Sequence, residues 1–184
     1  EGDCTAAREL FEEALVLRQA TGDERGIAAL RAHLGSVAYD EGDLATAERQ
    51  LGQALEAFGR LENVRGSVFA RVYLGSIDLR RDQLDSAEVH FSDCLSTARD
   101  LGDRQHVAVS LERFALLRAA QGRDDEALQL EAAAAHLRDE IGAPRPAPEK
   151  DELARDLPVL VPAGRRTGAD VLAVAKAIKV ALGR

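Results

Sequence analysis

Apolar residues recur through most of the chain with the spacing of amphipathic α-helices. The clearest row has members three or four residues apart: Leu44, Ala47, Leu51, Ala54, Leu55 and Phe58. Before it, Gly42 is a residue type that ends helices and Asp43 is one that caps their N-termini. We therefore predict a helix from Leu44 to Leu61 and a preceding helix from Ile27 to Glu41. Segments such as Thr21–Gly26 are predicted to be longer turns between one helix pair and the next.

This pattern returns with a constant, 40-residue period in the first three quarters of the chain. On the second helix of each pair, small residues recur at one register: Ala7, Ala47, Ala87 and Ala127. On the first helix, Leu34-Gly35, Leu74-Gly75 and Phe114-Ala115 align. The sequence thus predicts an array over residues 1–141, consisting of a half repeat 1–26 and repeats 27–66, 67–106 and 107–141. Neither helix could bury its apolar stripe alone, so we expect the units to stack.

Leu34, Gly35, Ala47, Leu51 and Ala54 have the spacing of the tetratricopeptide repeat signature. Residues 74, 75, 87, 91 and 94 repeat it, and residues 1–141 as a whole resemble this family. The resemblance implies an all-α fold, a right-handed superhelix of antiparallel helix pairs closed by a C-terminal helical cap. The period is 40 rather than about 34 residues, so about six extra residues are expected in helix ends or turns. Glu131 stands where an apolar residue belongs, which indicates that its helix faces solvent or a cap.

In this family the first helix of each pair lines the concave side of the superhelix. The resemblance therefore implies a groove for a protein or peptide partner, and its candidate lining residues are His33, Ser36, Tyr39, Asp40, Phe69, Tyr73, Ser76, Arg80, Glu112, Arg113 and Leu116. Tyrosine and arginine are enriched at binding hot spots, which favours this interpretation. The alternative is that Tyr39 and Tyr73 pack against neighbouring helices. Lysine is absent before Lys150, which excludes the lysine clamp by which chaperone adaptors of this family hold a terminal carboxylate.

The run Ala132–Pro146 and the later run Ala163–Leu172 resemble the end of repeat arrays in large bacterial regulators. Those proteins carry an ATPase module before the repeats and often a LuxR-type or SARP-type DNA-binding domain. The resemblance implies a fragment of a signalling or transcription regulator that senses a protein, a peptide or a small-molecule inducer. Two alternatives are a peptide-pheromone receptor and a structural scaffold for self-association. Because the sequence has no apolar run long enough to span a membrane and no signal-peptide layout at residues 1–25, we expect a cytoplasmic protein.

All five prolines lie between Pro144 and Pro162, so the chain changes character after residue 141. We predict a proline-containing linker over 142–168 with a short helix from Glu149 to Leu157, and an amphipathic helix over 169–184. The net charge is −11 for residues 1–141 and +3 for residues 142–184. The closing helix is therefore expected to cap the array. Docking on another chain, with formation of a homo-oligomer, is the alternative.

Motifs for catalysis are missing from the sequence. We find no phosphate-binding loop, no dinucleotide fingerprint and no nucleophile motif, and the four histidines have no metal-ligand spacing. We therefore expect no enzyme activity, no cofactor and no metal. The net charge of −8 disfavours direct binding of nucleic acid or of an anionic membrane.

Overall fold

The computed structural model describes residues 2–146, 150, 177 and 179–181, and these are helical wherever they have regular structure. Through residue 141 the helices are α1 Gly2–Thr21, α2 Glu24–Asp40, α3 Leu44–Arg60, α4 Val64–Arg80, α5 Leu84–Asp100, α6 Arg104–Ala120 and α7 Asp124–Ile141. The chain divides into two compact units, unit 1 over Glu1–Asp82 and unit 2 over Gln83–Arg184. Within each unit, consecutive helices pack antiparallel. Among the described residues, no helix is both long enough and apolar enough to cross a bilayer.

The connections between helices recur at equal spacing along the chain. A residue with positive φ stands at each of seven equally spaced positions: Gly22, Gly42, Glu62, Asp82, Gly102, Gly122 and Gly142. Gly42, with φ of 85°, reverses the chain after α2, and the Asp43 carboxylate then accepts a hydrogen bond from Thr46 N at 3.0 Å. Helices α2 to α6 have 17 residues each. The residues by which the 40-residue period exceeds a period of about 34 residues therefore lie in the helices, because the connections span only two or three residues.

The predicted long turn at Thr21–Gly26 is wrong. Helix α1 continues to Thr21 and α2 begins at Glu24, so that only Gly22 and Asp23 connect them. Asp23 caps α2 by accepting a hydrogen bond from Gly26 N at 3.0 Å. A Cβ at Gly26 would lie 2.6 Å from the Asp23 carboxylate, so this glycine belongs to a crowded first helical turn.

The core of unit 1 lies between the paired faces of α2, α3 and α4. Ala47, Leu51 and Ala54, which the repeat pattern marks as inward, are completely buried. Gly35 brings α2 close to α3, since a Cβ there would lie 2.6 Å from Leu51 Cγ. Burial of a leucine side chain of this kind contributes about 1.5–3 kcal/mol.

Helix α6 is the central element of unit 2. Every residue from Ser110 to Arg118 is buried, so that this part of α6 is covered on every side. Phe114 packs at 6.0 Å, ring centroid to ring centroid, on Phe91 of α5. A helix that is covered all round must satisfy its polar residues internally, and α6 carries three buried charges.

Most of the predicted C-terminal segment lies outside the described residues, including the short helix Glu149–Leu157 and the linker beyond Pro146. Of the predicted helix 169–184, the structure describes Ala177 and residues 179–181 as helical. Ala177 and Ala181 are buried, and Arg118 of α6 donates a hydrogen bond to the Ala181 carbonyl oxygen at 3.3 Å. These contacts place the described part of the closing helix against α6, where a cap is expected.

Candidate binding surface

Four of the residues predicted to line a groove come together in unit 1, where Phe11 joins them. The rings of Phe11, His33, Phe69, Tyr73 and Tyr39 follow one another in a continuous series, which we call the aromatic row. Its ring centroids are 5.3 Å apart for Phe11–His33, 5.5 Å for His33–Phe69, 5.0 Å for Phe69–Tyr73 and 5.5 Å for Tyr73–Tyr39. These distances are typical of favourable aromatic pairs. A fifth predicted residue, Arg80, continues the series at the Tyr39 end.

The repeat explains why these rings meet. His33 and Tyr73 occupy the same register position in α2 and α4, one repeat apart. Phe69 lies one helical turn before Tyr73, so both side chains share one face of α4. Phe11 reaches the row from α1. It shares a register with Leu51 and Phe91, and no feature of the sequence indicates that it stacks on His33.

The accessible part of the aromatic row is formed by four of its members. His33 is exposed, and Phe11, Phe69 and Tyr73 are partly exposed. Aromatic rings that share contacts with each other and with solvent can receive an apolar side chain without rearrangement of the backbone. Phenylalanine and tyrosine are among the residue types enriched at protein–protein interfaces.

Tyr39 is only 2% exposed and belongs to the core of unit 1. The Arg80 guanidinium lies 3.7 Å from the centre of its ring, a cation–π contact, and also donates to the Tyr39 carbonyl oxygen at 2.8 Å. The groove interpretation of Tyr39 is therefore wrong, and the packing alternative describes it. Arg80 itself is exposed but is held against α2 by these two contacts.

The surroundings of His33 favour the neutral form of its imidazole. Loss of water around its ring, which lies on Phe11 and against Phe69, lowers the pKa of His33 below its ordinary value. The imidazole therefore adds a planar, neutral surface to the aromatic row rather than a positive charge.

The predicted serines are not available as ligand donors in this arrangement. Ser36 donates its hydroxyl to the His33 carbonyl oxygen at 2.8 Å, and Ser76, which is buried, donates to the Val72 carbonyl oxygen at 2.9 Å. Back-bonding to the preceding turn is a common use of serine inside a helix. Asp40 is exposed at the end of α2.

The three candidates on α6 are buried, and the prediction that they line an open surface is wrong. Glu112, Arg113 and Leu116 are 3%, 4% and 5% exposed. Arg138 donates to Glu112 through two nitrogens, one of them at 2.9 Å, and Arg145 reaches Glu112 at 2.7 Å. A buried carboxylate needs such partners, because an unpaired charge in the protein interior is strongly unfavourable.

Glu131 belongs to the same cluster. It accepts from Arg145 at 2.9 Å and is partly buried, so of the two alternatives, solvent or a cap, the helix does not face solvent alone here. Burial raises the pKa of Glu131. Arg145, in the segment that follows α7, therefore ties that segment to α6 and α7 through two carboxylates.

Unit 1 also has a cleft of about 320 Å³ between α2 and α3, which the sequence did not indicate. Its walls include Glu24 and Arg31 of α2 and Gln53 and Arg60 of α3. Arg31 crosses from α2 to α3, where it donates to Gln50 at 3.3 Å and to Gln53. The cleft therefore has partly polar walls and lies beside a polar contact between the two helices.

Comparison with known proteins gives no relative: no protein-family model, no curated protein and no solved structure matches this chain. Within the residues that the structure describes, no group of three or more histidine, cysteine or acidic side chains could hold a metal ion.

Proposed function

We propose that the chain is a binding module of tetratricopeptide type in which the aromatic row of unit 1 receives an apolar or aromatic side chain of a protein or peptide. The observation that carries this proposal is the exposure of His33 within an unbroken series of stacked rings. A histidine needed only for packing would be covered by its neighbours. This one instead extends an aromatic surface into solvent.

The chemistry of the aromatic row favours one class of ligand group. His33 is neutral, and Phe69 and Tyr73 carry no charge, so the surface offers ring faces and edges rather than a site for a carboxylate. Aromatic pairs contribute about 0.5–1.5 kcal/mol beyond the area that they bury. We therefore expect peptides with phenylalanine, tryptophan, tyrosine or leucine to be preferred over acidic peptides.

The tetratricopeptide part of the proposal is supported by the packing of the helix pairs. In unit 1, Gly35 of the Leu34-Gly35 signature contacts Leu51, the large residue of the second helix. A close approach at a small residue is the physical reason for the small position in the signature. A right-handed superhelix with a C-terminal cap is the arrangement that we propose for the whole array.

The biological setting is proposed from the sequence resemblance of residues 132–146 and 163–172. It assigns this module to a larger cytoplasmic bacterial regulator with an ATPase domain, where ligand binding to the repeats would control signalling or transcription. A small-molecule inducer with an aromatic or aliphatic group would suit the same surface.

The proposal is tested by selecting binders from a random 12-residue peptide library and measuring the affinity of the best peptides by fluorescence anisotropy. The double variant His33→Ser, Phe69→Leu removes the exposed ring and one neighbour while keeping apolar volume at position 69. We expect it to weaken binding at least tenfold. Val89→Ser is the matched control, since Val89 is an exposed apolar residue of α5, outside the aromatic row.

Circular dichroism should show equal helicity in both variants. Equal affinity of the double variant and the wild-type chain would overturn the assignment of the aromatic row. Selected peptides without apolar side chains would overturn the proposed ligand class.

A further inference from the structure

Exposed large apolar side chains are concentrated on α1. Leu10, Val16 and Leu17 are 66%, 64% and 68% exposed. Leu10 and Leu17 are seven residues apart and lie on one stripe of the helix, with Val16 beside them. Other exposed large apolar side chains among the described residues occur singly in other elements or connections: Val64, Val89, Leu101 and Leu128.

The 40-residue register shows what this stripe corresponds to. Leu10 and Leu17 are equivalent to Leu130 and Leu137 of α7, which are 0% and 3% exposed. Helix α7 packs along α6, the helix before it, and ion pairs such as Arg138–Glu112 join the two. The same two leucines are thus covered in α7 and open in α1.

Helix α3 of unit 1 shows how the face equivalent to the Leu10–Leu17 stripe is used in a second helix. In α3 the equivalent positions are Gln50 and Ala57. Gln50 accepts a hydrogen bond from Arg31 of α2, and Ala57 lines the cleft between α2 and α3. In both α3 and α7, therefore, this face lies toward the helix that comes before it in the chain.

Charge indicates what kind of helix fits the stripe on α1. Glu9 and Glu13 lie among its apolar residues, and both are exposed. Glu13 is equivalent to Gln53, which accepts from Arg31 in the α2–α3 pair. In a second copy of α1, packed antiparallel about a two-fold axis with Leu10 against the other copy's Leu17, the two Glu13 side chains would meet. Like charges at that position disfavour such a dimer.

We propose that α1 binds, in antiparallel orientation, an amphipathic helix from outside these 184 residues. The partner helix has an apolar stripe that covers Leu10 and Leu17 and an arginine that contacts Glu13, as Arg31 contacts Gln53. This surface is independent of the aromatic row, since neither leucine belongs to it.

The first test uses a synthetic peptide with the sequence of α2, Glu24–Asp40, because α2 is the helix that lies beside the equivalent face of α3. We expect saturable binding to the full chain, measured by anisotropy. Binding should weaken at least tenfold for the variant Leu10→Gln, Leu17→Thr. Both substitutions are on exposed positions, and the new residues suit a helix surface.

The proposed contact between Glu13 and an arginine is tested by a charge reversal on each side. Glu13→Arg should reverse the preference, so that the chain binds an Arg31→Glu peptide more tightly than the unchanged peptide. For each chain, the affinity of the unchanged peptide is divided by that of the Arg31→Glu peptide. If this ratio is the same for the Glu13→Arg chain and the wild-type chain, the proposed arginine contact is wrong.

An isolated peptide of this length is marginally helical in water, so a covalent version of the test is required. Residues 1–3, Glu-Gly-Asp, repeat residues 41–43, which connect α2 to α3. A second copy of Glu24–Asp40 placed directly before Glu1 therefore has the same junction as the α2–α3 pair. We expect this extension to raise the Tm by about 5 °C, and the increase should disappear with Leu10→Gln, Leu17→Thr.

Two outcomes would overturn the proposal. One is an extended chain whose Tm equals that of the original chain. The other is concentration-dependent dimerisation in sedimentation equilibrium that is lost with Leu10→Gln, Leu17→Thr, because that result would assign the stripe to a second copy.

Discussion

The first helices of the repeats have the same register in the two units but are used in different ways. In unit 1, His33 and Tyr73 occupy equivalent positions and contribute accessible rings. In unit 2 the equivalent residue is Arg113, which is 4% exposed. One repeat position thus supports an aromatic surface in one unit and a buried charge in the other.

The neighbouring position makes the difference clearer. Ala32 and Val72 in unit 1 correspond to Glu112 in unit 2, where Arg138 and Arg145 surround the carboxylate. Ala32 and Val72 are as deeply buried as Glu112, but as apolar residues they need no polar partner there. The repeat register therefore fixes which residues share a face, whereas the residue types on that face decide which partners it needs from elements that follow in sequence.

The largest effect should come from breaking the buried ion cluster of unit 2. Arg138→Met leaves Glu112 with one of its two arginines, and we expect the free energy of unfolding to fall by about 3–5 kcal/mol. Urea denaturation followed by circular dichroism measures it. Arg99→Met, at an exposed pair with Asp100, is the control and should change stability by less than about 1 kcal/mol.

The paired substitution Glu112→Leu, Arg138→Met should recover most of that loss, because the buried carboxylate that needs a partner is gone. A double variant as unstable as Arg138→Met alone would show that the cluster contributes in another way.

Unit 1 should instead be most sensitive to helix spacing. Gly35→Ala puts a methyl group against Leu51 and should lower the free energy of unfolding by about 1–3 kcal/mol. Gly59→Ala is the matched control, because nothing lies within 4 Å of a Cβ there. This control should raise stability by up to about 1 kcal/mol through helix propensity. The two changes having the same sign would contradict the close approach of α2 and α3.

The two units also differ in how their helices begin. In unit 1 the caps Asp23, Asp43 and Asn63 each accept a backbone hydrogen bond. In unit 2 Asp103 does the same for α6, whereas Gln83 and Arg123 make no side-chain cap hydrogen bond. Gln83→Asp should therefore stabilise the chain by about 1 kcal/mol, as a shift of the urea midpoint. Asp43→Gln is the reciprocal change and should destabilise by a similar amount. An unchanged midpoint for Gln83→Asp would show that α5 does not gain from a cap.

The smallest effect concerns the pH dependence of the aromatic row. Because the pKa of His33 is lowered in the folded chain, the unfolded chain binds a proton more readily. The free energy of unfolding therefore does not depend on His33 protonation well above the unfolded pKa of about 6.5. As the pH falls below this value toward the lower folded pKa, the unfolded chain takes up the proton first and the free energy of unfolding decreases. Thermal melts of wild type and His33→Phe between pH 8 and pH 5 should diverge on the acidic side. Parallel curves would contradict the shift.

The repeat pattern predicts the helices well because helix formation, turns and caps depend on residues that are close together in the chain. Apolar spacing locates α3, and Gly42-Asp43 locates its start, since turn geometry and capping depend on neighbours in the chain. The predicted start of α2, Ile27, is later than the observed start at Glu24. Gly26 resembles a turn residue in sequence, although its lack of a side chain relieves crowding beside Asp23.

The candidate surface could be predicted only in part. The register brings His33, Phe69 and Tyr73 together, since they share helix faces in adjacent pairs. It cannot show that Glu112 is buried, because the arginines that make burial favourable come from positions 26 and 33 residues later. Long-range charge partners leave no periodic signal.

The residues with positive φ between the helices are equally spaced, and this spacing determines how such a chain tolerates changes in length. Removing or duplicating one whole helix pair keeps every later side chain on the same kind of helix, so an aromatic face remains aromatic. Removing or duplicating a single helix with its turn preserves each connection just as well, yet it exchanges first helices for second helices downstream. The backbone geometry is compatible with a change of one helix pair and with a change of a single helix. Only the change of a whole pair also preserves the side-chain register. Growth of the array by whole helix pairs is therefore the route that conserves its surfaces.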